Sequence, residues 1–288
     1  MKIEFLAAES LGVRSMATLV RTKDLTLLID PGAALGPKRY GLPPDQIEWN
    51  RLRETKKEIK NRLKEADIII ITHYHYDHYD PEWAPLFKGK RVYLKDPERN
   101  INRNQAMRAK ELLKRLRAAH ISWEVAEEGK VIFGETELCF SPPLNHGPER
   151  RFGTVVSVLV KEAGEAFLHS SDVSGPVQKE ALDFIYQASP NIIYIDGPAT
   201  YLGERFGLEA LSRASKALVQ LVSELRPEAL ILDHHLLRDL EWKRWAAPVF
   251  EAGQRFGTEV TTAAGFSGKE DLLLEAWRRD RYKKAPNP

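Results

Sequence analysis

Short apolar runs along the chain alternate with stretches of helical spacing. Residues 2–7, 15–20 and 25–29 read as successive strands of a meander, broken by polar or glycine-bearing stretches at 9–12 and 22–24. Residues 46–64 place Ile47, Leu52, Ile59 and Leu63 at helical spacing among charged residues, which predicts a helix with one apolar stripe. Residues 67–71 carry Ile68-Ile69-Ile70-Ile71, a β-branched run that suits a buried strand. Residues 31–44, ahead of that helix, are rich in Gly and Pro and read as a loop. A short strand at 91–94 and a basic helix at 104–120 follow. Short strands then crowd at 121–125, 131–133, 137–140, 154–160 and 166–169, punctuated by Gly129, Gly134, Gly153 and Gly164. The last third alternates: helices at 179–187, 208–225 and 241–256, strands at 192–195, 229–232 and 259–262. Alternation of this kind lays helices on a sheet face, so periodicity alone gives an α/β fold. No linker, repeat or low-complexity segment divides the chain, and residues 1–288 are expected to form a single domain.

The isoleucine run leads directly into Thr72-His73-Tyr74-His75-Tyr76-Asp77-His78. Three imidazoles and a carboxylate are thereby delivered at the carboxyl end of a strand, where open α/β sheets place their chemistry. A lone histidine is ordinarily a surface or hydrogen-bonded core residue. His73, His75 and His78 together are different, because burying them beside Asp77 leaves several polar groups in need of partners. A metal ion satisfies them at once. Alternation puts His73 and His75 on one side of the turn and lets Asp77 and His78 face a second point, so one loop can feed two metal positions.

The pattern His-x-His-x-Asp-His, here His73, His75, Asp77 and His78, resembles the signature of the metallo-β-lactamase-fold hydrolases. The likeness extends along the chain to Asp30 after an early strand, His146 in Pro143-Leu144-Asn145-His146-Gly147, Asp172 after Leu168-His169-Ser170-Ser171, and the pair His234-His235 after Leu230-Ile231-Leu232-Asp233. All five elements stand in the family's order, and within the superfamily the chain looks most like a branch of predicted metal-dependent hydrolases. The resemblance implies a four-layer αββα sandwich. It also implies a ligand set: His73, His75 and His146 at one position, Asp77, His78 and His234 at a second, and Asp172 bridging the two. Adjacent strand residues point to opposite faces, so one of His234 and His235 is expected to reach the metals, and the likeness of Ile231-Leu232-Asp233-His234 to the strand-then-histidine element of family nucleases makes His234 the preferred one. Asp77 would also orient the nucleophile as the catalytic carboxylate, and Asp30 would accept the other N–H of a ligand imidazole. The expected cofactors are two divalent transition metal ions, zinc first, with manganese or iron as alternatives.

Four further residues are candidates for the cleft: Asp196 at the end of a strand, His169 near Asp172, His235, and Arg238 as an anchor for an anionic substrate. A turn carboxylate, a strand-end histidine and packing are the competing readings. The helices carrying Arg103, Arg108, Lys110, Lys114, Arg115 and Arg117, and Lys56, Lys57, Lys60 and Arg62 among glutamates, read as solvated faces before they read as a phosphate track.

Composition narrows the function classes. A net charge of +2 gives no global field of the kind that marks a dedicated nucleic-acid binder. Cys139 is the single cysteine, which rules out an internal disulfide and a thiolate-rich metal site. No apolar run approaches the roughly 18 residues of a membrane span and no signal-peptide core is present, so a cytoplasmic protein without a membrane partner is expected. The function expected is hydrolysis of an ester, lactone, amide or phosphoester in a small molecule, by a hydroxide held between the metals. The alternatives are a nuclease or phosphodiesterase, an iron-dependent redox enzyme on the same fold, and a metal-binding protein without catalysis.

Overall fold

A computed structural model describes residues 1–284. The first sheet has six strands in sequence order: β1 (Lys2–Phe5), β2 (Thr18–Arg21), β3 (Thr26–Ile29), β4 (Ile68–Ile71), β5 (Arg91–Leu94) and β6 (Glu124–Val125). The first three pair antiparallel, and β3 to β6 pair parallel. Helix α1 (Gln46–Leu63) makes the crossover from β3 to β4 and α2 (Arg103–Ala118) that from β5 to β6, while β4 reaches β5 through a 3-10 turn at Pro81–Phe87. The second sheet has seven strands, formed from β7 (Lys130–Phe133), β8 (Thr136–Phe140), β11 (Val158–Glu162), β12 (Glu165–His169), β13 (Ile192–Asp196), β14 (Ala229–Asp233) and β15 (Glu259–Thr261). Between β8 and β11, β9 (Leu144–Asn145) and β10 (Thr154–Val155) form a separate two-stranded ribbon. The second sheet repeats the plan of the first, antiparallel at one side and parallel from β12 to β15.

The period of two in the strands decides the layers. Ile68 and Ile70 of β4 point into a core with Val158, Phe167, Tyr194 and Ile231 of the second sheet. Ile69 and Ile71 point the other way, against Leu52 and Ile59 of α1 and Leu112 and Leu116 of α2. In β14, Ala229 and Ile231 face the first sheet, while Leu230 and Leu232 pack under α3 (Lys179–Ala188), α4 (Leu208–Leu225) and α5 (Trp242–Phe256). A strand buried on both faces must be apolar throughout, which is why these runs show no alternation. The result is helices, two sheets face to face, and helices again: the αββα sandwich of the metallo-β-lactamase fold.

Several expected boundaries shift, each for a local reason. The strand expected at 15–20 starts at Thr18, because the Ser15 hydroxyl donates to Gly32 O at 2.5 Å and draws that segment off the ladder. The run expected at 121–125 pairs only over Glu124–Val125, since Ile121 N donates to Leu116 O and closes the end of α2. The run at 154–160 divides between β10 and β11, with Val156 N donating to Thr72 O at the head of the histidine loop.

After β15, α6 (Ala263–Phe266) and α7 (Arg278–Lys284) lead the chain back over the loop at 31–45. Arg14 makes two bonds to the Glu275 carboxylate, at 2.6 and 2.5 Å, and Gly36 N adds a third at 3.2 Å. Burial pushes the Glu275 carboxyl up, but the bond and charge of Arg14 outweigh it and bring the pKa down to about 2. The folded value lies below the unfolded one. Its stabilisation is therefore present above about pH 4.5 and is lost as pH falls through about 2, and by linkage amounts to about 3 kcal/mol at neutral pH. Glu275→Gln is expected to lower Tm at pH 7 and to flatten the acid limb of the stability curve across that window. An unchanged acid limb in thermal melts would show that the Arg14 pair contributes nothing.

Candidate metal centre

The site forms where strands of both sheets end. β4 delivers His73, His75, Asp77 and His78; β12 ends ahead of Asp172; β14 ends ahead of His234 and His235; the β9–β10 turn supplies His146. The imidazoles stand in a chain, with ring centroids 4.7 Å apart for His73–His75, 4.8 Å for His75–His146, 4.1 Å for His73–His78 and 5.3 Å for His78–His234.

Asp172, 1% exposed, lies at the centre with its two oxygens facing different groups. Oδ2 is 3.4 Å from His73 Nε2 and 3.2 Å from His146 Nε2. Oδ1 is 2.9 Å from His78 Nε2 and 3.3 Å from His234 Nε2, which is itself 3.7 Å from Asp77 Oδ2. The ligand atoms of His73, His75, His146 and Asp172 lie within 4.8 Å of one another, as do those of Asp77, His78 and His234. Asp172, His234 and His235 satisfy the same limit.

Whether these residues suit a cation is tested by their own hydrogen bonds. Nε2 of His73, Nε2 of His78 and Oδ1 of Asp172 are buried and have no hydrogen-bond partner, although His78 Nε2 and Asp172 Oδ1 are only 2.9 Å apart. They converge without being aimed at one another. Buried donors and acceptors left in this state are costly, and a shared cation is the group that would satisfy them together. The residues fit.

The outer nitrogens are held from behind. Asp30 Oδ2 is 2.8 Å from His78 Nδ1, and the same carboxylate accepts Thr72 N at 2.8 Å and Thr72 Oγ1 at 2.7 Å. Ser171 Oγ and Thr72 Oγ1 each lie 3.3 Å from His73 Nδ1. Gly32 packs so closely on the loop that an added Cβ would meet Tyr79 N at 2.2 Å, so only glycine fits there. Burial, and then the charge of His78, push the His73 imidazole down to about 4, the neutral form a ligand needs. For His78 burial works the other way from Asp172 and Asp30, and the carboxylates prevail, raising it to about 10. Burial also works against ionisation of Asp172, yet His78, His234 and His73 hold its carboxyl well below the usual range.

His234 and His235 both reach the site, contrary to the expectation of opposite faces. The strand ends at Asp233, and His234 takes a left-handed backbone with φ 58°, turning the two rings to centroids 4.6 Å apart. His235 Nδ1 lies 3.0 Å from both oxygens of Asp196, which also accepts the His235 amide. Burial, then the charge of Asp172, push the Asp196 carboxyl up to about 6.

His169 stays outside the cluster. Its Nε2 donates to Met16 O at 2.9 Å and its Nδ1 accepts Ser171 N at 3.2 Å, tying the end of β12 to the other sheet. Tyr74 and Tyr79 pack inside, with hydroxyls on Lys95 O and Arg108 O, while Tyr76 is 45% exposed. Arg238 is 4% exposed and bonded through Nε to Glu9, so it is built into the protein rather than free at the surface as a substrate anchor. Glu9 is the residue sequence reasoning passed over: its Oε2 lies 3.2 Å from His234 Nδ1. A carboxylate inside Leu6-Ala7-Ala8-Glu9-Ser10-Leu11 was the available signal. A cavity of about 140 Å³ adjoins the cluster, lined by His146, His235, Phe152, Phe206, Tyr201 and Arg205 among others. No helix among the described residues is long and apolar enough to cross a membrane.

A family model described as the metallo-beta-lactamase superfamily matches residues 12–184, more than half of the chain. A UPF0282 protein of Sulfurisphaera tokodaii is 44% identical over 293 residues, covering 100% of this chain and 95% of that one. A UPF0282 protein of Korarchaeum cryptofilum is 41% identical, covering 99% and 96%. Among solved structures, CmlA, a diiron beta-hydroxylase from Streptomyces venezuelae, aligns at TM-score 0.53 and 15% identity over 90% of this chain and 52% of its own. An isothiocyanate hydrolase from Delia radicum gut bacteria aligns at TM-score 0.52 and 14% identity, over 90% and 95%. Likenesses this distant speak for the fold alone. With its motif order, its two stacked sheets and these relatives, the chain belongs to the metallo-β-lactamase superfamily and, within it, to the UPF0282 proteins.

Proposed function

We propose that the chain is a hydrolase of small molecules that uses two divalent cations. One would be held by His73, His75 and His146, the other by Asp77, His78 and His234, with Asp172 bridging. The observation that carries this reading is the Asp172 carboxylate, which turns one oxygen to each group of imidazoles while buried donor atoms beside it lack partners. Imidazole and carboxylate without thiolate favour zinc, with manganese or iron as alternatives. When bound, such a pair lowers the pKa of a water and neutralises charge that develops on substrate oxygen.

The rest falls to the protein. Asp30, bonded to Nδ1 of His78, keeps the inner nitrogen of that ring aimed inward, and the Glu9 carboxylate lies 3.2 Å from Nδ1 of His234. Asp77 lies at the rim, its side chain 16% exposed, where its carboxylate orients the attacking water. His235, whose Nδ1 donates to Asp196, lines the cavity wall and leaves Nε2 as an acceptor for a substrate O–H or N–H. The cavity is small, with Phe152 and Phe206 as apolar walls and Arg205 adding positive charge, which suits a compact, partly anionic substrate over a polymer. On the basic helix, Arg115 is paired with Glu82 and Glu111, and Arg108 lies 4.7 Å over the Tyr76 ring.

The test is elemental analysis of metal-loaded protein, then chelation, with phosphodiester, lactone and thioester substrates assayed at each stage. Two equivalents of metal at saturation and hydrolysis of one class, lost with the metal and restored by it, are expected. Tm should fall on chelation too, since metal at about a thousand times its Kd adds about 4 kcal/mol. Protein that binds no transition metal, or that hydrolyses none of the panel when loaded, would refute the reading.

A further inference from the structure

The two proposed metal positions differ in one respect. In each group one ring nitrogen, Nε2 of His73 and Nε2 of His78, has no hydrogen-bond partner, and in the first Nε2 of His146 is directed at Asp172 Oδ2 at 3.2 Å. In the second group, Nε2 of His234 is already engaged by Nη2 of Arg238 at 3.2 Å, in a directed hydrogen bond. The same Nη2 lies 3.8 Å from Asp77 Oδ2, a second atom of that group. A guanidinium has only donors and does not lose its proton in a protein, so its partner nitrogen must supply the lone pair. That lone pair is the one a metal would use.

The arrangement is held from several sides. Glu9 takes Arg238 Nε with one oxygen and lies 3.2 Å from His234 Nδ1 with the other. Arg238 follows Leu236 and Leu237, both fully buried, and its carbonyl accepts Arg39 Nη2 at 2.7 Å. Glu9 balances the guanidinium from the Nε side. The Nη2 edge still presents a fixed positive charge to His234 and Asp77.

We propose that Arg238 makes the metal centre unequal: the His73, His75, His146 and Asp172 position binds its cation tightly, and the Asp77, His78 and His234 position binds only weakly, in competition with the guanidinium. This rests on the metal-centre reading above. A fixed charge within bonding distance of one ligand and close to another opposes a second cation strongly, and a separation of about a hundredfold or more in Kd is expected. At limiting metal the protein is then mononuclear, with a guanidinium in the place of the second ion.

The experiment titrates chelator-stripped protein with Zn²⁺ alone, against a chromophoric competitor and by calorimetry. Wild type should bind one equivalent tightly and a second about a hundredfold more weakly. Glu9→Gln with Arg238→Met removes both charges of the buried pair and should bring the second Kd within about tenfold of the first. Arg238→Lys keeps the charge and should keep the second site weak. Circular dichroism of each stripped variant checks the fold, and the wild-type titration is informative even if a variant does not fold. Two equal affinities in wild type, or a folded double variant whose second site stays as weak as before, would overturn the inference while leaving the two-cation reading standing. Failure of wild type to bind Zn²⁺ at all would remove both.

Discussion

Asp172→Ala is expected to reduce bound metal from two equivalents to fewer than one and hydrolysis by roughly a thousandfold or more. The reason is position. One oxygen of this carboxylate lies within 3.4 Å of His73 and His146, the other within 3.3 Å of His78 and His234, so its loss deprives the first group of its only carboxylate and leaves the second with Asp77 alone. Asp172→Asn replaces one oxygen with a donor and removes the charge, so it should fail nearly as badly at the same volume. Circular dichroism should remain unchanged, because Asp172 follows β12 rather than forming part of it. Elemental analysis alongside kcat/KM checks the expectation. A variant with full metal content and full turnover would show that the carboxylate only caps its turn.

Arg278→Met is expected to cost about 3–5 kcal/mol of stability, the usual penalty for leaving a buried charge without its partner. Arg278 and Glu48 are both fully buried, with Nη2 to Oε1 at 2.7 Å and Nε to Oε2 at 2.9 Å. Glu48 also completes the capping box of α1 with Asp45 and lies 2.9 Å from Arg281, which places the loss toward the lower end. Replacing both partners, Glu48→Gln with Arg278→Met, should recover much of it, since a neutral pair leaves no stranded charge. Urea denaturation measures the difference. The effect should reach the metal centre, because Arg278 also donates to Leu42 O and Tyr282 to Pro43 O, holding the loop whose Gly32 packs on the histidine turn. A loss below about 1 kcal/mol would mean that the pair is solvated in solution.

The strand cores and the helices that cover them were readable because burial on both faces leaves a local mark. Ile68–Ile71 and Ala229–Asp233 are apolar nearly throughout, and α1 was placed within a residue or two by its stripe, of which Leu52, Ile59 and Leu63 are buried and Ile47 is exposed, while α2 was read as a basic helical run. The short ribbon of β9 and β10 was not readable, since two-residue strands have no period to detect. The C-terminal return over the loop at 31–45 was equally hidden: Arg14–Glu275 and Glu48–Arg278 join residues more than 200 positions apart, and a lone charged residue in a sequence does not announce its partner.

The site divides along the same line. His73, His75, Asp77 and His78 announce themselves because their chemistry is packed into one turn after one strand, and the order of Asp30, His146, Asp172 and His234 extends that pattern. The sequence therefore named the imidazoles and carboxylates that converge and their order, and the family resemblance those residues carry implied the fold. The folded arrangement settled the rest: that Asp172 splits its oxygens between two groups, that a left-handed turn at His234 brings His235 in as well, and that Glu9 and Arg238 stand behind one position only. Spacing along a chain records which side a residue faces in its own element. Distances between elements arise when two sheets pack, and no local pattern encodes them.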